Sequence, residues 1–331
     1  MKKKLVGILL SLSLLVSLAA CGGGGSDKVI IYSNADEEAI QVIENVLNEN
    51  GYEGQYEIQT FGTSELGGKL LAEGTDIEAD MVTMSSFYLE SAQDAHDMFV
   101  DFTWDVNTEK ETPKYIAPLT AQEGAIIVNE KMAEESNLDL PKSIKDLADP
   151  KYQDLLAVVD IDSSSTAWLM TQALIETYGE EEATDILAGI YKNANNHIEA
   201  SGSGPLNKVA SGEVPLGFGL RHQVLQKANE GIPVSIIDPE EGNFTLSESL
   251  AIIKKDNQEK IDKMQEMTKL IIEKGRPEIQ KVYPGVLYQG ETAPAGQESN
   301  NLKTFSKPLT AELLKEHQDL STKAKGLAQG K

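Results

Sequence analysis

An α/β protein is predicted by three features of this chain. Short apolar runs of strand length alternate with amphipathic stretches of helical period over most of its 331 residues. Polar or small residues follow five of those runs, where open α/β sheets present their loops to a ligand. No cysteine lies beyond Cys21, so a packed core and not a disulfide framework has to hold the fold.

The first twenty residues stand apart. Lys2, Lys3 and Lys4 precede an apolar run from Leu5 to Ala20, which ends in Leu18-Ala19-Ala20-Cys21. A basic head, a short apolar core and small residues before a cut site are what a secretory signal requires, and sixteen apolar or small residues are marginal for a bilayer span. Residues 1–20 are therefore expected to be removed and Cys21 to be lipidated, with the flexible stretch 21–27, which contains Gly22-Gly23-Gly24-Gly25-Ser26, as tether. The folded body should work outside the cytoplasm, held to the cell membrane by that anchor. Deleting three lysines from a formal net charge of −24 leaves −27, a field that attracts neither nucleic acid nor anionic lipid.

Val29-Ile30-Ile31-Tyr32 reads as the first strand, and Glu37 to Asn50 as a helix with Ile40, Ile43, Val46 and Leu47 on one stripe and Gly51 as its stop. Tyr56 to Phe61 is a second strand and Glu65 to Glu73 a second helix; Asp80 to Met84 is a third strand, followed by a short helix over Tyr88 to Ala92. A new run begins with the strand Leu155 to Ile161 and two helices, Ala167 to Tyr178 and Glu181 to Lys192, divided by Gly179. Pro215 to Leu220 is a strand, His222 to Asn229 a helix, Val234 to Ile237 a strand, Leu250 to Lys254 a late strand, and Gln258 to Glu273 and Thr310 to Ala328 long helices. Two lobes fit this order: residues 28–120 with 245–300, and residues 121–244 with 301–331. Thr120 to Val128 makes the first crossing and Pro239 to Ser249 the return.

The strand tails collect the chemistry. They are Ser33-Asn34, Gly62-Thr63-Ser64, Ser85-Ser86, Asp162-Ser163-Ser164-Ser165-Thr166 and Arg221-His222-Gln223. One such serine is an ordinary helix cap. Five tails together, several with hydroxyls beside the N–H groups of a following helix, suit a phosphate-like anion. Arg221 is one of two arginines against 27 lysines, and its planar fork can hold two anionic oxygens; a structural ion pair is the alternative. His222 can donate to the same anion, or pack or cap. Arg276, in Glu273-Lys274-Gly275-Arg276-Pro277, reads as a cation at a helix end.

Several chemistries lack their residues. His96, His197, His222 and His317 show no close pairing, so no metal site is read. Gly62 to Leu70 resembles a phosphate loop but has one residue too many before Lys69 and leucine after it. No G-x-S-x-G elbow occurs, and acid pairs such as Glu181-Glu182 and Glu240-Glu241 read as solvated faces.

The lipobox, the tether, the opening Val-Ile-Ile-Tyr-Ser strand and the stretch Leu140-Pro141-Lys142-Ser143-Ile144-Lys145-Asp146-Leu147-Ala148-Asp149-Pro150-Lys151-Tyr152 resemble extracellular solute-binding proteins of ABC importers, in the ferric-iron/2-aminoethylphosphonate group. Iron binders of that group carry two adjacent tyrosines at the position corresponding to Arg221-His222, and here the pair is absent. Leu216 to Gln223, with Pro239 to Ser249, is similar to the aminoethylphosphonate-type members. The resemblance implies a two-lobe, hinge-closing fold of the type II periplasmic-binding kind with the ligand between the lobes. It also implies a monomer that presents the ligand to a permease, with neither turnover nor a cofactor. Arg221 and Ser163 to Thr166 would hold the phosphonate, Ser33, Asn34, Thr63, Ser64, Ser85 and Ser86 would complete the shell, and Glu248 would take the ammonium. Ferric-iron uptake and an anchored extracellular enzyme are the rival expectations; a sugar binder ranks low, since only 6% of the chain is aromatic.

Overall fold

The computed structural model describes residues 28–294, 297, 299 and 301–330. The expected signal, Cys21 and the expected tether lie outside the described residues. The first group of elements is β1 (Val29–Ser33), α1 (Glu37–Leu47), β2 (Tyr56–Thr60), α2 (Thr63–Glu73), β3 (Met81–Ser85) and α3 (Ser86–His96). Its strands run parallel in the order β2-β1-β3, the helices supplying the crossovers that parallel pairing needs. α1 ends in a π turn over Asn48–Tyr52, where Gly51 takes φ +88°.

β4 (Ala117–Asn129) then carries the chain away into a second group: α4 (Glu130–Glu135), β5 (Leu156–Val159), α5 (Thr166–Ala194), β6 (Ile198–Glu199), α6 (Gly204–Ser211), β7 (Leu216–Leu220), α7 (Arg221–Asn229) and β8 (Val234–Ile237). β9 (Asn243–Ile252) returns it, and α8 (Gln258–Leu270), α9 (Arg276–Val282), β10 (Leu302–Lys303) and α10 (Ala311–Ala328) complete the fold. β4 and β9 are antiparallel to each other from Ala117↔Leu250 to Glu123↔Thr245. The far half of β4 pairs with β7 and β8, and the far half of β9 pairs with β3. Among the described residues this makes one sheet in the order β2-β1-β3-β9-β4-β7-β5-β6, narrowed to two crossing strands between two lobes.

Buried apolar side chains of the two groups form one continuous cluster, and the first group adds a second cluster of its own. Val29, Ile31, Ile43, Leu47, Leu250, Ile252 and Met264 pack on one side of the first group. Trp168, on α5, is fully buried, meets Phe87 edge-on at 4.9 Å and donates its indole N–H to His317 Nδ1 of α10 at 2.7 Å. No helix among the described residues is long and apolar enough to cross a membrane.

Some elements differ from the reading of the sequence. The helices expected on either side of Gly179 are one element, α5, bent where Gly179 takes φ +78° and ψ 167°. The expected return crossing and late strand are one strand, β9, with neither proline nor glycine inside it. Arg276 does not end a helix. It opens α9, is 2% exposed and pairs through Nε with Glu291 at 2.9 Å, since a proline at the second position suits a helix start.

Close helix packing sets a test. Gly67 on α2 lies against Tyr88, and an added Cβ would clash with the ring at Tyr88 Cε1. Gly68, one residue on, faces open space. Gly67→Ala is expected to lower unfolding stability by about 1–3 kcal/mol through overpacking, whereas Gly68→Ala raises it by up to about 1 kcal/mol; urea unfolding midpoints read both, and equal effects would contradict this packing.

Candidate functional site

The cleft forms where the carboxyl ends of β1, β2, β5 and β7 converge on the crossing strands. It has a volume of about 230 Å³ and is lined from the first lobe by Asn34, Asp36, Thr63 and Glu248, and from the second by Ser163, Ser164, Ser165, Thr166, Ser201 and Gly202, with Gln122 of β4 between them.

Its first wall is acidic. Glu248 is 4% exposed and stands on β9 opposite Thr120 of β4 and Ser85 of β3. It accepts a hydrogen bond from Asn34 Nδ2 at 3.0 Å and one from Thr120 Oγ1 at 3.2 Å. Burial and the neighbouring Asp36 push its carboxyl up to about 8, the two hydrogen bonds pulling the other way. Asp36 occupies the N-cap position of α1 and yet makes no capping bond. Its Oδ2 accepts instead from the Tyr283 hydroxyl at 3.2 Å and from Gln223 Nε2 at 3.4 Å. Burial, reinforced by Glu38, raises this carboxyl as well.

The second wall is neutral and rich in hydroxyls. Ser163 to Thr166 turn into the start of α5, a helix whose N-cap, Ser165, leaves its side chain out of any capping bond. The helix dipole there favours an anion, and the hydroxyls are the donors on offer, since the N–H groups of Ser163, Ser164, Ala167 and Trp168 donate to backbone carbonyls and that of Thr166 to Ser164 Oγ. The loop through Gly202 closes on the same spot, and an added Cβ at Gly202 would strike Thr166 Oγ1, with Ser164 Oγ 3.3 Å away. Glycine is required there by close approach and not by backbone angle. Among the described residues the cleft is lined by no lysine or arginine, and by two carboxylates.

Of the residues singled out from the sequence, the cleft brings together Asn34, Thr63, Ser163, Ser164, Ser165, Thr166 and Glu248. The others face elsewhere. Ser33 bonds to Thr83 Oγ1 and accepts from Ala35 N–H at 3.0 Å, and Ser64 turns to the Tyr88 hydroxyl. Ser85 is buried beside Glu248 and its Oγ has no hydrogen-bond partner among the described residues. Ser86, one residue on, opens α3 and bonds to Ser249 Oγ at 2.8 Å.

Arg221 takes the ion-pair alternative. It is 5% exposed, its Nε pairs with Asp238 Oδ1 at 3.1 Å and its NH1 donates to the Gln297 carbonyl at 2.6 Å. His222 is equally buried, stacks on Tyr283 with ring centroids 4.3 Å apart, and burial holds it down at about 3, so it stays neutral. Asp36, Gln122, Ser201 and Gly202 were not singled out from the sequence. Asp36 was hidden by its place before a helix, where acids are ordinary, and Ser201-Gly202 by following β6, a two-residue strand.

A model of the family described as bacterial extracellular solute-binding protein matches residues 80–272, more than half of the chain. The chain belongs to that family. An uncharacterized protein of Haemophilus influenzae is 29% identical over 125 residues, which are 38% of this solute-binding protein and 36% of the relative, so the match spans about a third of the relative's length. Iron-bound HitA of Pseudomonas aeruginosa is similar over 90% of this chain and 99% of its own, with TM-score 0.72 and 20% identity. AfuA of Actinobacillus pleuropneumoniae, solved with exogenous fructose-6-phosphate bound, is similar over 92% and 95% with TM-score 0.69 and 16% identity. At such identities the likeness is one of fold, the two-lobe type II periplasmic-binding architecture.

The buried acid gives this site a pH signature. Glu248 has an ordinary value of 4.5 and rises to about 8 on folding, so the stability of its protonated form is complete below 4.5 and is lost as pH climbs through 8. Relative to the native chain, Glu248→Gln is therefore expected to gain up to about 1.4 kcal/mol of unfolding stability per pH unit between pH 5 and 8. Urea unfolding across that range checks it, and parallel stability curves would contradict it.

Proposed function

We propose that this chain is the substrate-binding lipoprotein of an ABC importer, anchored through Cys21 and hinged at β4 and β9. We further propose that its ligand is a small zwitterion carrying an ammonium and a phosphonate, of which 2-aminoethylphosphonate is the type. The observation that carries this reading is the pairing of unlike walls across one cleft: Asp36 and Glu248 on one side, and the hydroxyls and helix start at Ser163 to Thr166 on the other.

A bare phosphate would meet two carboxylates and, among the described residues lining the cleft, no cation. An ammonium placed between Asp36 and Glu248 removes that repulsion and draws Glu248 into its charged form. The phosphonate oxygens then accept from the hydroxyls of Ser163, Ser164 and Thr166 at the α5 start, and from the backbone beside Gly202. A ferric site would call for phenolate or further carboxylate oxygens, and the Tyr283 hydroxyl, raised by burial and by Asp36 and Glu248, is committed as a donor to Asp36.

Calorimetric titration with 2-aminoethylphosphonate, phosphate, phosphonoacetate and ferric citrate tests the reading. The zwitterion is expected to bind at least about tenfold more tightly than either plain anion, and Glu248→Gln to abolish about that advantage, the size of one charge-assisted contact. Preference for phosphonoacetate or ferric citrate would overturn it.

A further inference from the structure

The two lobes touch through contacts that involve no ligand. Tyr283 follows α9 and is buried in the core of the first lobe with Ile31, Ile43 and Leu250. His222 and Gln223 stand in the first turn of α7, which leaves the end of β7 in the second lobe. Across the seam the His222 ring lies on the Tyr283 ring, centroids 4.3 Å apart and planes at 40°. Beside it Gln223 donates to Asp36 Oδ2 at 3.4 Å, the same oxygen that accepts from the Tyr283 hydroxyl at 3.2 Å. On the other side of α7's first residue, Arg221 is tied by Asp238, which also accepts from Asn243 Nδ2 at 2.9 Å, so the corner that carries His222 and Gln223 is held rigid.

We propose that His222 and Gln223 with Tyr283 and Asp36 form an interlobe clasp that closes the cleft before any ligand arrives. Ligand entry then requires the clasp to part, and a closed empty state lowers the apparent affinity by the fraction of time the cleft is shut. Gln223 and Tyr283 are also positioning residues, since between them they hold the Asp36 carboxylate off its own helix and toward the cleft. This second role rests on Asp36 being an ammonium partner, whereas the clasp itself does not depend on what the ligand is. The stacking of two buried rings, each with its polar atoms turned away from water, is the apolar part of the closure; the shared Asp36 oxygen is the part that fixes register.

Small-angle X-ray scattering of the ligand-free chain lacking residues 1–20 tests the clasp directly. The native scattering profile is expected to fit the closed structure, and the radius of gyration to stay unchanged when 2-aminoethylphosphonate is added at saturation. His222→Ala with Gln223→Ala is expected to give a larger ligand-free radius. Gln223→Ala alone should move the same way by a smaller amount, which keeps the test informative where the double variant does not fold by circular dichroism. An open native profile, or variant profiles identical to the native one, would overturn the clasp. Tyr283→Phe keeps the ring and loses the hydroxyl, so it should stay closed and bind 2-aminoethylphosphonate severalfold more weakly. Unchanged binding by a closed Tyr283→Phe would overturn the positioning role and the ammonium reading of Asp36, with the clasp still standing on its scattering.

Discussion

A carboxyl group buried between the two crossing strands is the constraint on which the rest of this molecule turns. Glu248 sits at the narrowest point of the sheet, where β9 is flanked by β3 and β4, and is bonded from β4 by Thr120 and from the end of β1 by Asn34. An ionised carboxylate in that place has too few donors to replace its lost water, which is why burial drives it toward the protonated form. The site is thus at rest when empty and neutral, and it gains most from a ligand that brings its own positive charge.

The opposing wall follows from the same economy of charge. In a chain of net charge −24, an arginine placed in an acidic cleft would pair with the nearest carboxylate and close the space meant for the ligand. Arg221 shows that outcome a few residues away, locked to Asp238. Anion recognition by hydroxyls and the helix dipole at the start of α5 avoids it, because neutral donors can face an anion without collapsing onto Glu248 or Asp36.

The long elements were legible because their apolar spacing spans several turns, and the strand tails were legible because sheet geometry says where loops emerge. Thus Asn34, Thr63 and Ser163 to Thr166 could be named from the strand tails, Glu248 only through the family resemblance, and all of them line one cleft. Where β3 gives way to α3 was the part that could not be read without register: Ser85 closes the strand beside Glu248, while Ser86 opens the helix and bonds to Ser249. Arg221 was conspicuous for its rarity, but its partner lies 17 residues on, and nothing local distinguishes a buried pair from an anion grip. Asp36 looked like a helix cap, and only the contacts of Gln223 and Tyr283, from distant parts of the chain, reveal that its carboxylate is turned elsewhere.

The central claim is that a ligand's positive charge replaces the proton on Glu248. Calorimetric titration with 2-aminoethylphosphonate at pH 7, repeated in buffers of different ionisation enthalpy, counts the protons exchanged on binding. Close to one proton released per ligand at pH 7, falling toward none above pH 9, is the predicted result. Binding with no proton released at pH 7, or with uptake, would contradict the account.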